Sequence, residues 1–434
     1  MIKRRCIGIL AVTALFFLFS SFPAQSQNKS NLPGDLQSLI DESVKANSEV
    51  RQLRAVHRAA KEAVSPAGAL DDPEAAFIIK DLPTDTWSFS QEDMTQKMFE
   101  LTQKIPFPGK RRLRSEVAES QAQADGLSYR EKVNEIRAKV IVGYWGLALA
   151  YTGFDITQRN KQFWEQVVQV TETRYGVGQG MQADVLQAQV ELGTYLDRLF
   201  QWTQKQESIR GDLNALRSKP PQTPLAQPQP LKPRAFNLKL DELLARAEAR
   251  PQLHALKAMV AKQGRAVDLA KKEYFPDFTL GVAYGLRENR EDLKRSDMIS
   301  SKFMINLPIW QGSKIKPRIR EEQAKQDASK DAYQATWNQM SAMIKDRHAK
   351  LKRLSQQITL YNQGIIPQAK QAAASALAAY AVGTLDFARL YQNQIAAFNA
   401  ELALQEYLKD FEENWAELEW LVGAELPRPP GGKP

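Results

Sequence analysis

Few residues in this sequence have the types and spacing to do chemistry. Arg174 to Leu192 reads RYGVGQGMQADVLQAQVEL, with Gly176, Gly178 and Gly180 running into a helical pattern. Glycines before a helix can cradle a phosphate, because free N–H groups and the helix dipole converge there. A dinucleotide loop also needs a buried strand before it and the order G-x-G-x-x-G. Here Phe163, Val167, Val168 and Val170 lack strand alternation, and the third glycine comes one position early. The chain has three histidines, His57, His254 and His348, and neither H-E-x-x-H nor G-x-S-x-G. They read as ordinary helix residues. Met94, Met98, Met298 and Met304 could hold a soft metal, but they fall in strand patterns, where thioethers fill gaps. Glu412 and Glu413 read as a solvated helix face. The expectation is a protein that is not an enzyme, with no cofactor and no metal site.

A second copy of the glycine segment explains the first. Tyr380 to Gln394 reads YAVGTLDFARLYQNQ. With Tyr175 set on Tyr380, Val177 meets Val382, Gly178 meets Gly383, Gln187 meets Gln392 and Gln189 meets Gln394. The repeated unit is Y-x-V-G, with one obligatory glycine. A glycine in the left-handed conformation ends one helix and lets the next begin. Other segments recur in the same order. IPFPGKRRLRSEVAESQAQA (105–124) faces LPIWQGSKIKPRIREEQAKQ (307–326), and EVRQLRA (49–55) faces QLHALKA (252–258). The chain is therefore two similar halves.

The elements that must position these turns follow from periodicity. No proline occurs between Lys110 and Lys219. Val133, Ile136, Val140, Tyr144, Leu147, Tyr151 and Phe154 recur at spacings of three and four, as do Tyr333, Trp337, Met340, Ile344, Leu351, Leu354, Ile358 and Tyr361. Leu404, Leu408, Phe411, Trp415, Leu418 and Val422 form a heptad stripe. A helix from about Arg112 to Thr173 would run roughly 90 Å at 1.5 Å per residue. Such lengths suit coiled-coil hairpins. Pro367 should kink the matching helix of the second half.

Before each long helix the period changes to two. Phe278, Leu280, Val282, Tyr284 and Leu286 alternate with Asp277, Thr279, Gly281, Ala283 and Gly285; Ile299, Phe303, Ile305 and Leu307 share a face. In the first half Phe99, Leu101 and Ile105 oppose Glu100, Thr102 and Lys104. Strands are expected at about 73–82, 94–105, 277–287 and 297–308. Each is long enough to cross a bilayer at a tilt. An open edge is not tolerated in lipid, so four strands per chain require several chains. A dimer's eight strands would fill their own interior, whereas a trimer's twelve leave room for a pore.

Lys3, Arg4 and Arg5, the apolar run CIGILAVTALFFLFS and the small residues Ala24 and Ser26 read as a Sec signal peptide over 1–26. The only cysteine, Cys6, stands at the start of the apolar run and not after it, so no lipid anchor is expected. Loss of the leader removes three basic residues, and the net charge falls from +9 to +6. That mild excess is spread through helical patterns and does not argue for nucleic acid. The expected organisation is a first repeat over 27–217, a proline-rich connector over 218–236, a second repeat over 237–423 and a tail over 424–434. The tips fall at 175–180 and 380–385.

On IPFPGKR, LPIWQG, the two Y-x-V-G tips and the two-half layout, residues from about Leu36 to Gly423 resemble the TolC family of outer-membrane efflux proteins. The likeness is strongest to the branch serving heavy-metal and multidrug export by resistance–nodulation–division (RND) pumps. The resemblance implies a mainly α fold with a small membrane β-barrel: a homotrimer with a twelve-strand barrel and a trimeric α-barrel in the periplasm. It implies a passive outer-membrane duct for metal ions or drugs, docked to a periplasmic adaptor (membrane fusion protein) and an inner-membrane RND pump. The alternatives are a type I protein-secretion channel and a secreted structural coiled coil. Many relatives carry an N-terminal lipid-modified cysteine, and this sequence departs from that.

Residue expectations follow. Tyr175, Val177, Gly178, Tyr380, Val382 and Gly383 form the adaptor-docking turns, with both Y-x-V-G glycines at positive φ. The resemblance places acidic gate residues just past the turns. Here Asp184 stands in the first half and Arg389 at the matching place in the second, with Gln187 and Gln392 one turn on. Asp184 and Arg389 are expected to alternate around one ring. Lys110, Arg111, Arg112 and Arg114, repeated as Lys314, Lys316, Arg318 and Arg320, are expected to ring the barrel's periplasmic rim and meet outer-membrane lipid. A solvated first helical turn is the plain alternative.

Overall fold

The structure, a computed structural model, describes residues 32–428. The expected leader, Cys6 and the end of the tail lie outside the described residues. The fold is mainly α with one small sheet. Helices α1 (Gly34–Ala46), α2 (Ser48–Glu62) and α3 (Val64–Gly68) lead to strands β1 (Glu74–Lys80) and β2 (Gln96–Ile105). The helical hairpin α4 (Lys110–Gly176) and α5 (Gln182–Leu216) follows. The second half repeats the plan with α6 (Leu240–Ala247), α7 (Pro251–Lys272), β3 (Phe278–Leu286), β4 (Met298–Ile305), α8 (Lys316–Leu360), α9 (Ile366–Ala381) and α10 (Phe387–Val422). From Lys219 to Lys239 the proline-rich chain is neither helix nor strand.

Helix α4 has 67 residues, or about 100 Å at 1.5 Å per residue. Its counterpart is interrupted. One π turn, Gln311–Ile315, precedes Pro317, and another, Tyr361–Ile365, precedes Pro367. Proline lacks an N–H and its ring crowds the carbonyl four residues back. In each place the residue before proline donates five residues back, Lys316 N–H to Gln311 and Ile366 N–H to Tyr361. The interruption expected at Pro367 thus takes the form of a π turn, and helix resumes at once.

The sheet order is β1-β2-β3-β4, antiparallel throughout. Its middle pair, β2 with β3, joins the two halves. Register aligns Phe77, Phe99, Tyr284 and Ile299 in one row, and Leu101 with Val282 in the next. These apolar side chains share one face with Ile79, Leu280 and Phe303, and all are exposed. The opposite face carries Glu74, Thr102, Gly281 and Lys302 in one row and Ala76, Glu100, Ala283 and Ser300 in another. There Lys302 Nζ donates to Glu100 at 2.7 Å.

The main core lies midway along the helices. Ile136, Val140 and Tyr144 of α4 meet Leu351, Leu354 and Ile358 of α8 and Leu404, Leu408, Phe411 and Trp415 of α10. The short helices add Leu36, Ile40, Leu243 and Leu253. The connector is pinned here. Tyr144 donates to Asp35 at 2.5 Å and accepts from the Gln229 N–H at 3.0 Å. Phe236 packs edge-on against Trp415. Asn47 caps α2 and donates to the Leu216 carbonyl at the end of α5.

One pair of neighbours corrects the reading of α10. Glu412 is not solvated but 3% exposed. Arg428 donates to it at 2.9 Å and Arg234 pairs with it at 2.9 Å; Arg428 also holds Glu419 at 2.8 Å. Glu413 instead makes a partly exposed pair with Lys409. Removing one partner of a buried pair costs about 3–5 kcal/mol, whereas an exposed pair is worth about 0–1 kcal/mol. Glu412→Ala should therefore lower the denaturation midpoint of the assembled protein strongly and Glu413→Ala barely; equal losses would refute the assignment.

Candidate functional site

The two hairpin tips are built alike. Gly178 has φ +76° and Gly383 φ +81°. In the first tip Gly178 N–H donates to Tyr175 and Gln179 N–H to Arg174, at 3.0 and 2.8 Å; in the second, Gly383 donates to Tyr380 and Thr384 to Ala379, both at 3.0 Å. Each is a Schellman closure, in which two N–H groups beyond the helix satisfy its last carbonyls. Val177 and Val382 project from the ends, 65% and 75% exposed.

The tips differ in how their tyrosines are used. Tyr175 is 49% exposed and Tyr380 is 2% exposed. Arg174 lies over the Tyr380 ring at 4.6 Å, and its guanidinium donates to the carbonyls of Tyr380 and Gln179. The Tyr380 hydroxyl donates to Asp184 at 3.2 Å. Burial, and then the Asp184 charge, push the Tyr380 phenol up to about 12. Arg174 and Tyr380 therefore clasp the first tip to the second. Behind the clasp, Trp164 packs against Phe387 and Tyr391, Tyr195 packs edge-on against Phe398, and Gln394 donates to Asn160 at 2.7 Å. Arg174 escapes a repeat search because Ala379 stands at its matching position. Its adjacency to Tyr175 was the one available signal.

The gate residues are not paired as a set within the chain. Asp184 engages Tyr380, and no ion pair joins it to Arg389 among the described residues. Arg389 is exposed, and Asp386 caps its backbone N–H at 2.7 Å. Gln187 contacts Glu191 at 3.3 Å, and Gln392 is exposed.

The basic residues after the strands divide in two. Lys110 is 6% exposed, pairs with Asp277 at 2.7 Å and donates to the Phe275 carbonyl at 2.9 Å. Arg111 donates to the Gly68 carbonyl at 2.8 Å. Lys110 thus braces the strand-to-helix junction, and that engagement removes it from the lipid-facing set; Arg111 is likewise committed to the chain. Arg112 and Arg318 lie at the surface in pairs with Glu116 and with Glu321 and Glu322. Arg114 is half-buried, and Lys314, Lys316 and Arg320 are exposed. Elsewhere His57 bonds the Ala122 carbonyl, His348 bonds the Leu238 carbonyl and His254 is exposed. The described residues hold no cluster of three or more His, Cys, Asp or Glu suited to a metal ion.

A sheet with one apolar exposed face and two unpaired edges, carried on hairpins about 100 Å long, defines a channel-forming membrane protein. Comparisons agree. The outer membrane efflux protein family model matches residues 39–217 and 243–424, and the chain belongs to that family. The outer-membrane channel OprN superposes with a TM-score of 0.77 at 19% identity, covering 90% of each chain. The outer-membrane protein VceC of Vibrio cholerae does so with 0.77 at 19%, covering 90% of this chain and 96% of that one. The fusaric acid resistance protein FusA of Burkholderia cepacia is 23% identical over 252 residues, 54% of this chain. The match spans 45% of that relative's length. The protein is thus an outer-membrane efflux channel reaching into the periplasm, and not an enzyme.

Two expectations follow from the tips. A β-branched side chain at positive φ is strained, so Gly178→Val and Gly383→Val should each impair efflux while leaving assembled protein in the membrane. Undiminished export in both would show that these turns are not a working end. The second concerns pH. The folded tip holds the Tyr380 proton more tightly than the unfolded chain, whose tyrosine titrates near 10. The contribution is complete below about pH 10 and is lost as pH rises towards 12. Wild type should lose tip order across that window, followed by hydrogen exchange at 174–184, and Tyr380→Phe should not; identical alkaline profiles would discard the clasp.

Proposed function

We propose that three copies of the chain form the exit duct of a tripartite efflux pump. The observation that carries this reading is the four-stranded sheet with an apolar exposed face and free edges on β1 and β4. Hydrocarbon cannot satisfy those edges, so β4 of one copy meets β1 of the next. Twelve strands leave a lumen, lined by the polar face with Lys302 and Glu100. The helical hairpins continue the lumen into the periplasm. At their ends Val177 and Val382 offer apolar contacts to a periplasmic adaptor, which couples the duct to an inner-membrane pump of RND type.

The duct is passive, and the pump chooses the cargo. The name of the Burkholderia relative favours small organic toxicants over metal ions. The runner-up, a duct for type I protein secretion, would share the same architecture. For the gate, the exposed Arg389 reaches the partner subunit's Asp184 around one ring. Exposed pairs contribute about 0–1 kcal/mol each, a latch weak enough for an adaptor to open.

Outer membranes should yield a heat-sensitive trimer, and a deletion strain should become sensitive to organic acids and drugs with its secreted proteins unchanged. A monomer, or lost protein secretion with normal tolerance, would defeat the pump reading. In planar bilayers Asp184→Arg should leak, and adding Arg389→Asp should restore closure. Matching conductance in single and double variants would place the gate elsewhere.

A further inference from the structure

We propose that a cavity at the junction of strands and helices binds the headgroup of an anionic phospholipid. The cavity holds about 390 Å³ and is lined by Lys110, Arg114, Glu273, Asp277, Trp310 and Lys314, among others. Lys110 and Asp277 cancel each other at 2.7 Å. That leaves Arg114 and Lys314, neither in an ion pair among the described residues, against the single carboxylate of Glu273 in the lining. The excess is one positive charge in a cavity sized for a phosphodiester.

Its setting selects lipid over a free anion. The cavity lies just past Ile105, Phe278 and Ile305, where the apolar face of the sheet ends. Beside it the segment after β4 exposes Leu307, Ile309 and Trp310 at 70%, 69% and 69%, and Phe275 is 44% exposed. Apolar side chains this exposed suit a hydrocarbon neighbour, and an indole sits well at headgroup level. Arg114 and Lys314, one step towards the periplasm, then meet phosphate while Leu307 and Ile309 meet acyl chain. This narrows the basic rim to one site. Arg112 and Arg318 are committed to glutamates, and Lys316 and Arg320 do not line the cavity. The inference rests on the sheet being the part that crosses the bilayer.

The test uses the full-length assembled protein in nanodiscs of neutral lipid, titrated with phosphatidylglycerol, with extra phosphatidylcholine, or with inorganic phosphate. Phosphatidylglycerol alone should raise the melting temperature of the assembly. Arg114→Gln with Lys314→Gln should weaken that lipid's apparent affinity about thirtyfold, at about fivefold per cation. Trp310→Ala should weaken it too. Lys316→Gln with Arg320→Gln removes the same charge outside the cavity and should change nothing. If the first pair does not assemble, Lys314→Gln alone should weaken affinity about fivefold. An equal response to inorganic phosphate would make this a free-anion site, and equal weakening by both pairs would make it surface charge; either overturns the proposal. Channels that insert and conduct with no lipid preference would overturn it while leaving the duct intact. Failure of the wild type to insert would strike at the duct itself.

Discussion

A backbone amide in hydrocarbon has no water to bond, and much of this molecule follows from that fact. The chain supplies four strands with every internal ladder made and both edges open. In water such edges would invite aggregation; in lipid they oblige the chain to find copies of itself. The amphipathic register agrees, because a one-residue slip of β2 would turn Phe99 to the polar face and Glu100 to the apolar one. The helices are fixed to this sheet by a buried contact, Lys110 with Asp277, at the point where β2 gives way to α4. Membrane and periplasmic parts are thereby held in one orientation.

The two halves share a plan but divide the work at their far end. Both tips close with the same hydrogen bonds around a left-handed glycine. Only the second buries its tyrosine, and only the first supplies an arginine to cover it. A duplicated turn has become a socket in one copy and a clasp in the other.

Much of the architecture was legible because it is periodic. Alternation at Phe278–Leu286 marks a strand, spacing of three and four marks α4, and Y-x-V-G marks each tip. What escaped is what periodicity does not encode. Glu412 and Glu413 are alike in sequence, and only the arrival of Arg428 and Arg234 from distant segments separates a buried ion cluster from a surface pair. Lys110 heads a basic run, yet Asp277 of the other half draws it inward. An interruption at Pro367 was legible, but not the one before Pro317 nor the π turns that form both, since those depend on a helix held by its neighbours on both sides. At the candidate site the turns were legible and the Arg174–Tyr380 contact was not, because it joins residues of different repeats.

The pairing of β2 with β3 has a consequence for biogenesis. Lys97 lies against Leu286, so the centre of the sheet can close only once the second half has been exported as far as Leu286. Contacts of such sequence separation form slowly, since a long loop must be ordered before they are rewarded. Phe77, Phe99 and Leu101 meanwhile present an apolar face that closing the sheet does not cover. A chain in that state is prone to aggregate. The hazard therefore outlasts the pairing of two distant strands and ends only when lipid covers the apolar face.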